Sequence, residues 1–142
     1  MTKTFTIQEA QELIPVLKQE LQVLRKYFIE MSEIWSMNAQ KYNLDLEDPE
    51  LNNICLKDVK NQELIDKIEA SLMFFKELGI ECKGIEEGLF DFPCLIEDRI
   101  VYLCWKEGED CINHWHEIDS GYSARKSLLE AVGAERNHAI MN

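Results

Sequence analysis

The chain has 142 residues, 46% of them apolar, and a formal net charge of -12 from 27 acidic and 15 basic side chains. A single domain of that size buries roughly two-thirds of the surface its unfolded chain exposes, so a true core is expected. The negative balance repels phosphate backbones and argues against direct nucleic-acid binding, and no apolar run approaches the ~20 residues that cross a bilayer.

The opening MTKTFTIQEA lacks the apolar stretch of a secretory signal, so the expected setting is cytoplasmic. Thr6 followed by Glu9 forms a capping box. The helix it opens carries Leu17, Leu21, Leu24, Phe28, Met31 and Trp35, whose alternating spacings of four and three place them on one stripe. Pro15 lies too deep for a first-turn proline and predicts a kink or a short separate first turn. The pattern lapses through NAQKYNLDLEDPE, where Asn43, Asp45 and Asp48 mark a connection and Pro49 suits the first turn of the next helix.

A second stripe takes Leu51 and Ile54, then Ile65, Ile68, Leu72, Phe75 and Leu78. Asp58 and Asn61 fall on its line. Either they form a polar pair within the seam or the helix breaks near Asp58; the break is favoured because a buried, unpaired carboxylate is expensive. Gly79 ends the helix as a left-handed cap. Two long helices and a modest loop predict an antiparallel hairpin, which exposes more apolar surface than it covers; the rest must come from the C-terminal half, a partner chain or both, and self-association as a homodimer is expected.

After Gly79 the period changes. Gly84 and Gly88 interrupt a short segment, and Pro93 disfavours a central strand at that point. Ile100 to Trp105 reads as a strand with Ile100, Tyr102 and Cys104 on one face and Val101, Leu103 and Trp105 on the other, both faces covered. Glu97-Asp98 supplies a turn before it and Lys106 to Asp110 one after it, with Ile112 to His116 returning antiparallel. This meander of two or three strands needs the helices beneath it. A short helix is expected from Ser127 to Ala134. The fold class is therefore α+β: a long antiparallel helical hairpin, a small antiparallel β-region and a short C-terminal helix. One domain spans residues 1–142, with helical scaffold over 6–78 and a strand and loop unit over 80–125.

The chemistry concentrates in that last unit. From Glu81 to Asp119 eleven acids face only Lys83, Arg99 and Lys106, a surface suited to a metal ion, a cationic ligand or a basic partner, and equally to solubility alone. The five cysteines, Cys55, Cys82, Cys94, Cys104 and Cys111, are an odd set without a CxxC pair, which favours reduced thiols over a disulfide framework or zinc knuckle. His114-x-His116 on a strand puts both imidazoles on one face, about 6 to 7 Å apart between α-carbons, where they can converge on zinc or iron. Further ligands are available in Cys104, Cys111, Asp91, Glu109, Glu117 and Asp119. Two histidines beside Trp115 also suit plain hydrogen bonding. Alternatively His116 is an acid or base oriented by Glu117, Asp119 or Asp91, with Cys104 or Cys111 as nucleophile. Arg125 either pairs with Asp91 or Asp119, or clamps a carboxylate or phosphate. Tyr102, Trp105, Trp115 and Tyr122 could line a planar pocket for haem, although no CxxCH attachment sequence is present. No glycine pattern marks a nucleotide loop.

Several short elements, in order, carry a family likeness: Phe5-Thr6 with Glu9-Ala10 and Leu13-Ile14-Pro15, then Glu77-Leu78-Gly79, Lys83-Gly84, Gly88-Leu89 and Asp91-Phe92-Pro93. Leu103-Cys104-Trp105, Gly108-Glu109, Trp115-His116-Glu117, Gly121-Tyr122 and Arg125 complete it. Spread over nearly the whole chain, they resemble a prokaryotic domain of unknown function, the family DUF2203. The resemblance implies a helical hairpin with a small irregular strand region and no established activity, with a haem-handling role among relatives. It puts the Trp-His-Glu element on His116 rather than His114, and it includes Asp91, Cys104, Glu109, Glu117 and Arg125.

These readings combine into a non-enzymatic protein that binds a divalent metal or small cofactor at the C-terminal unit, as a homodimer. His116 is the first ligand, Asp91 or Glu117 a second ligand or imidazole orienter, His114 a further candidate, and Arg125 a pocket anchor. A metal-dependent hydrolase, a structural homo-oligomeric module and a haem-handling protein are the alternatives.

Overall fold

The computed structural model describes residues 3–128. The fold is α+β: helices α1 (Ile7–Tyr42), α2 (Pro49–Lys57) and α3 (Val59–Leu78) precede strands β1 (Glu81–Gly84), β2 (Leu89–Ile96), β3 (Arg99–Lys106), β4 (His114–His116) and β5 (Lys126–Ser127). A 3-10 turn at Tyr122–Ala124 lies before β5. Among the described residues no helix is long and apolar enough to cross a membrane.

Local chemistry sets the helix ends. Thr6 and Glu9 cap α1 reciprocally, the Glu9 amide donating to Thr6 Oγ1 at 3.1 Å and the Thr6 amide to Glu9 Oε1 at 2.9 Å. The helix then runs unbroken through Pro15, so no separate first turn forms; the ring removes only the N–H that the Gln11 carbonyl would have accepted. Asp48 caps α2 ahead of Pro49. The helix break falls at Asp58, which ends α2 and starts α3, its Oδ1 accepting the Lys60 and Asn61 amides at 2.9 and 3.2 Å. At Gly79 (φ +85°) the Gly79 amide bonds Lys76 O and the Ile80 amide bonds Phe75 O, a Schellman motif that turns the chain out of α3.

The described residues form two compact units, one of residues 20–73 and one of residues 3–19 with 74–128. In the unit of residues 20–73, Ser71 bonds Glu20, Lys67 lies over Tyr27, and Asn38 bonds Asp58. As one partner advances the other retreats, so α1 and α3 run antiparallel here. Ala39, Leu51 and Cys55 pack together with Trp35 and Leu44 against them. The helical seams differ from the expected stripes. Phe28 is 39% exposed, and the buried face of α3 is Asn61, Leu64, Ile68, Ser71 and Phe75, leaving Leu72 39% exposed. Two polar residues hold seam positions, which displaced a stripe drawn through apolar side chains alone.

In the other unit, Ala10, Ile14 and Leu17 of α1 are buried. The sheet is a five-stranded antiparallel meander in the order β1-β2-β3-β4-β5. Strands β2 and β3 stay in register over eight pairs, from Leu89↔Lys106 to Ile96↔Arg99. Glu97 and Asp98 close that hairpin with φ of 48° and 66°, the left-handed pair of a type I′ turn. One sheet face forms the core: Phe90, Phe92, Cys94, Val101, Leu103, Trp105 and Trp115 are all buried. Phe90 meets the Phe75 ring at 5.1 Å, and Phe92 meets Phe5 edge-on at 5.6 Å.

Strands β1 and β5 extend the meander beyond the two or three expected. Pro93 sits inside β2, against expectation. The pairing of β1 stops at Asp91, and Pro93 O instead accepts the Phe5 amide at 2.7 Å. A residue's N and O point to the same side of a strand, so the missing N–H faces the N-terminal segment and the β3 ladder loses nothing. The covering expected on both faces of β3 is partial: Ile100 and Tyr102 are half-buried, and on their side only Cys104 is fully buried. Of the helix expected over Ser127 to Ala134, Ser127 belongs to β5 and the part beyond Leu128 lies outside the described residues.

Candidate metal centre

The face of the sheet opposite the core carries the polar residues. Because side chains alternate along a strand, register fixes which of them meet. Glu81 pairs with Asp91, Asp91 with Cys104, Cys104 with His114 and His114 with Ser127, so one row crosses all five strands. The next row holds Pro93, Tyr102 and His116. Leu103 and Trp115 occupy the core side between them, which fixes the polar residues on this side.

Asp91, Cys104 and His116 converge here from β2, β3 and β4, each supplying one ligand atom, all within 4.8 Å of one another. They are 2%, 0% and 1% exposed. Three atoms with that spacing fit inside a sphere of about 2.8 Å radius, against metal–ligand distances of about 2.0–2.3 Å, so small side-chain shifts suffice to close on an ion.

The imidazole is oriented by its neighbours. His116 Nδ1 lies 2.8 Å from Glu117 O, and a carbonyl can only accept, so Nδ1 carries hydrogen and donates. His116 Nε2 then faces Asp91 Oδ1 at 3.0 Å. In the neutral ring Nε2 presents a lone pair to a carboxylate oxygen, so a proton or another cation belongs between them. The Tyr102 ring packs against the imidazole at 5.5 Å. Burial pushes the Cys104 thiol up to about 12, with the Asp91 charge adding to the rise and Arg125 opposing it. Unaided, Cys104 is therefore a thiol at neutral pH, which removes the basis for a thiolate nucleophile but suits a ligand that sheds its proton to a metal. The Tyr102 hydroxyl is likewise raised to about 12, by its interaction with the Glu81 carboxylate first and then by burial.

The other expected site residues lie around this set. His114 shares the face of His116 but turns elsewhere, its Nδ1 3.5 Å from Glu109 Oε2. Glu109 takes Arg125 in a two-pronged ion pair at 3.0 and 2.6 Å, so the partner of Arg125 is neither Asp91 nor Asp119. Burial works to raise the Glu109 carboxyl, but the Arg125 bonds and the Lys106 amide outweigh it and hold it below its ordinary value. The Glu117 carboxylate pairs with Arg99, and only its backbone oxygen serves His116. Cys111 is half-buried and Asp119 exposed, both outside the three-ligand set. Trp105 and Trp115 point to the core face, opposite Tyr102, so the aromatics singled out for a planar pocket do not share one side of the sheet.

The sequence gives no signal for Glu81 beside this set, nor for the pairing of Glu109 with Arg125. The first is legible only once β1 is paired with β2. The second depends on the Lys106–Asp110 turn, where Glu109 Oε1 accepts the Lys106 amide at 2.7 Å and no strand period applies.

A family model described as an uncharacterized conserved protein (DUF2203) matches residues 3–128. No curated protein and no solved structure matches the chain.

Proposed function

The chain belongs to the DUF2203 family, and we propose that it is a metal-binding protein holding one divalent transition-metal ion between Asp91, Cys104 and His116. The observation that carries this is the 3.0 Å approach of His116 Nε2 to Asp91 Oδ1 while Nδ1 is committed to Glu117 O. Metal-ligating histidines characteristically donate their second ring N–H to a carbonyl or carboxylate, which fixes the tautomer. A thiol, an imidazole and a carboxylate together suit zinc or ferrous iron better than calcium or magnesium, which prefer oxygen.

Three protein ligands leave one coordination position for water, the arrangement that a metal-dependent hydrolase uses. The near-complete burial of all three favours retention of an ion over turnover. Haem has less support, because Nε2 would have to leave Asp91 and the aromatics divide between the two faces. Phe28, Ile29, Met37, Leu72 and Met73 are exposed apolar residues within 20–73, and they support the homodimer reading.

Protein purified without a histidine tag and incubated with Zn(II) or Fe(II) is expected to retain one ion per chain by native mass spectrometry and elemental analysis. Cys104→Ser and His116→Ala should lose it. A wild-type chain that stays metal-free, or a His116→Ala variant that loads like wild type, removes this reading. The same native mass reports the dimer.

A further inference from the structure

Asp91, Cys104 and His116 are each 2% exposed or less, so they are closed from above and an ion must reach them along the sheet. Four directions lead out from the Asp91–Cys104 pair. Toward β5 the row continues to His114, and that side ends in a committed ion pair. Arg125 meets Glu109 at 3.0 and 2.6 Å with its own side chain only 13% exposed, and Glu109 Oε2 lies 3.5 Å from His114 Nδ1. Along the strands one way stand Leu89 and Lys106, an alkyl group and a cation. The other way come Pro93 and Tyr102, whose ring packs 5.5 Å from the His116 imidazole, and then Leu95 and Ile100. None of those four carries a charge that would draw a cation inward.

The fourth direction is β1. Glu81 stands directly across from Asp91 and is the only other carboxylate in the row. Opposed residues of an antiparallel pair hold their Cβ atoms about 4.5–5.5 Å apart on one face, so the two acids make a step from the sheet edge to the centre. The Glu81 side chain is 42% exposed, and its Oε1 takes Lys83 Nζ at 3.2 Å, from a lysine itself 46% exposed. A surface pair of this kind holds weakly, so a divalent ion displaces the ammonium at small cost. Charge then separates approach from arrival. A divalent ion with an Asp91 carboxylate, a Cys104 thiolate and a neutral His116 sums to zero. Glu81 attracts the ion on its way in and gains little from the seated, neutral centre, so it acts on rates and hardly on equilibrium.

Resting on the reading of Asp91, Cys104 and His116 as a metal site, we propose that Glu81 is the entry residue of that centre, capturing a hydrated divalent cation at the β1 edge and handing it to Asp91. The ion first releases Lys83 from Glu81 and then exchanges the Glu81 carboxylate for that of Asp91. Last, the Cys104 sulfur–hydrogen bond breaks, its proton leaves to solvent, and the sulfur lone pair bonds the ion. No electron is transferred. Release runs the same path backwards.

Cobalt(II) is the probe, because its thiolate charge-transfer band in the near ultraviolet reports arrival at Cys104. Uptake is followed by stopped flow, release by transfer to excess chelator, and affinity by competition with that chelator. In Glu81→Gln uptake and release both slow by about 5- to 10-fold, the Coulomb weight of one charge on a divalent ion about 7 Å away in water, and the affinity stays near wild type. Glu81→Lys, with twice the change in charge, squares that factor, and Glu81→Asp keeps the wild-type rate. Added salt slows wild-type uptake more than that of Glu81→Gln. Asp98→Asn removes a charge at the exposed far turn and leaves the rate unchanged. Wild-type uptake rates in Glu81→Gln and Glu81→Lys overturn the proposal, as does an equal slowing in Asp98→Asn, which would make the effect one of net charge. Slower uptake matched by an equal loss of affinity also overturns it, because Glu81 would then belong to the seated ion. A wild-type chain that takes up no cobalt brings down the metal site itself, whereas normal loading with indifferent Glu81 variants brings down this inference alone.

Discussion

At the scale of single residues, the His116–Asp91 pair has the largest consequences. Both are buried and each is the other's partner at 3.0 Å. Removing one member leaves the other desolvated and uncompensated, so His116→Ala is expected to cost about 3–5 kcal/mol in urea unfolding of the metal-free protein. Replacing both residues by apolar ones of similar volume should recover much of that loss, a coupling a double-mutant cycle reads directly; additive losses would mean that the two side chains act independently. Thiol reactivity offers a second test. Cys55, Cys94 and Cys104 are buried while Cys82 and Cys111 are half-buried, so a thiol reagent should modify Cys82 and Cys111 first in the native state. Fast labelling of Cys104 would contradict the closed geometry. Much of this residue-level picture is legible in the sequence. The two-residue spacing of His114 and His116 does place them on one face, yet their rings part company because Glu109 and Asp91 stand in different directions. The spacing fixes a face but carries no information about partners on other strands.

At the scale of elements, the helix ends follow from local rules and the sheet does not. The Thr6–Glu9 box, Pro49, the break at Asp58 and the turn at Gly79 each depend on residues within a few positions of each other, and all are found where the sequence puts them. Asp58 accepts the first amides of α3. Asp58→Ala should therefore lower stability by about 1 kcal/mol, with Asp58→Asn or Asp58→Ser retaining most of it. Gly79→Ala forces a Cβ into a φ of +85° with Lys3 Cβ at 3.2 Å, and a loss of about 1 kcal/mol or more is expected in the same denaturant assay. Strands β1 and β5 are four and two residues long. Too short to show a period, they exist because neighbours offer them a ladder, and that information is not local. The α3 seam departs from the apolar stripe for a related reason: Ser71 is buried with its hydroxyl donated to Glu20 at 2.7 Å, fifty-one positions away in the chain.

For the molecule as a whole, titration bounds the working range on both sides. Burial raises Cys94 from 9.0 to about 11. Between those values the unfolded chain has lost this proton while the folded chain keeps it, so its stabilising contribution is complete below pH 9 and disappears as pH climbs toward 11. Urea midpoints should fall across that window, and Cys94→Ala should flatten the slope there even if it lowers the plateau through the cavity it leaves. Glu109 acts in the opposite sense. Burial works against its ionised form, but Arg125 and the Lys106 amide hold the carboxyl below 4.5, so its contribution is present above that value and is lost as pH falls through the folded one. Arg125→Gln should remove that acid limb. A bound metal ion adds stability by mass action: at a free concentration one hundred times the dissociation constant it contributes about 2.7 kcal/mol, visible as a rise in melting temperature that a chelator reverses.

The eight-pair ladder between β2 and β3, closed by only Glu97 and Asp98, makes the centre a matter of odd and even. One residue gained or lost in that hairpin would invert the faces of every later strand, sending Cys104 and His116 among the phenylalanines and lifting Trp105 and Trp115 into water. Natural length variation at this turn should therefore come in twos or not at all, whereas the connection between β3 and β4 has slack enough to absorb single steps.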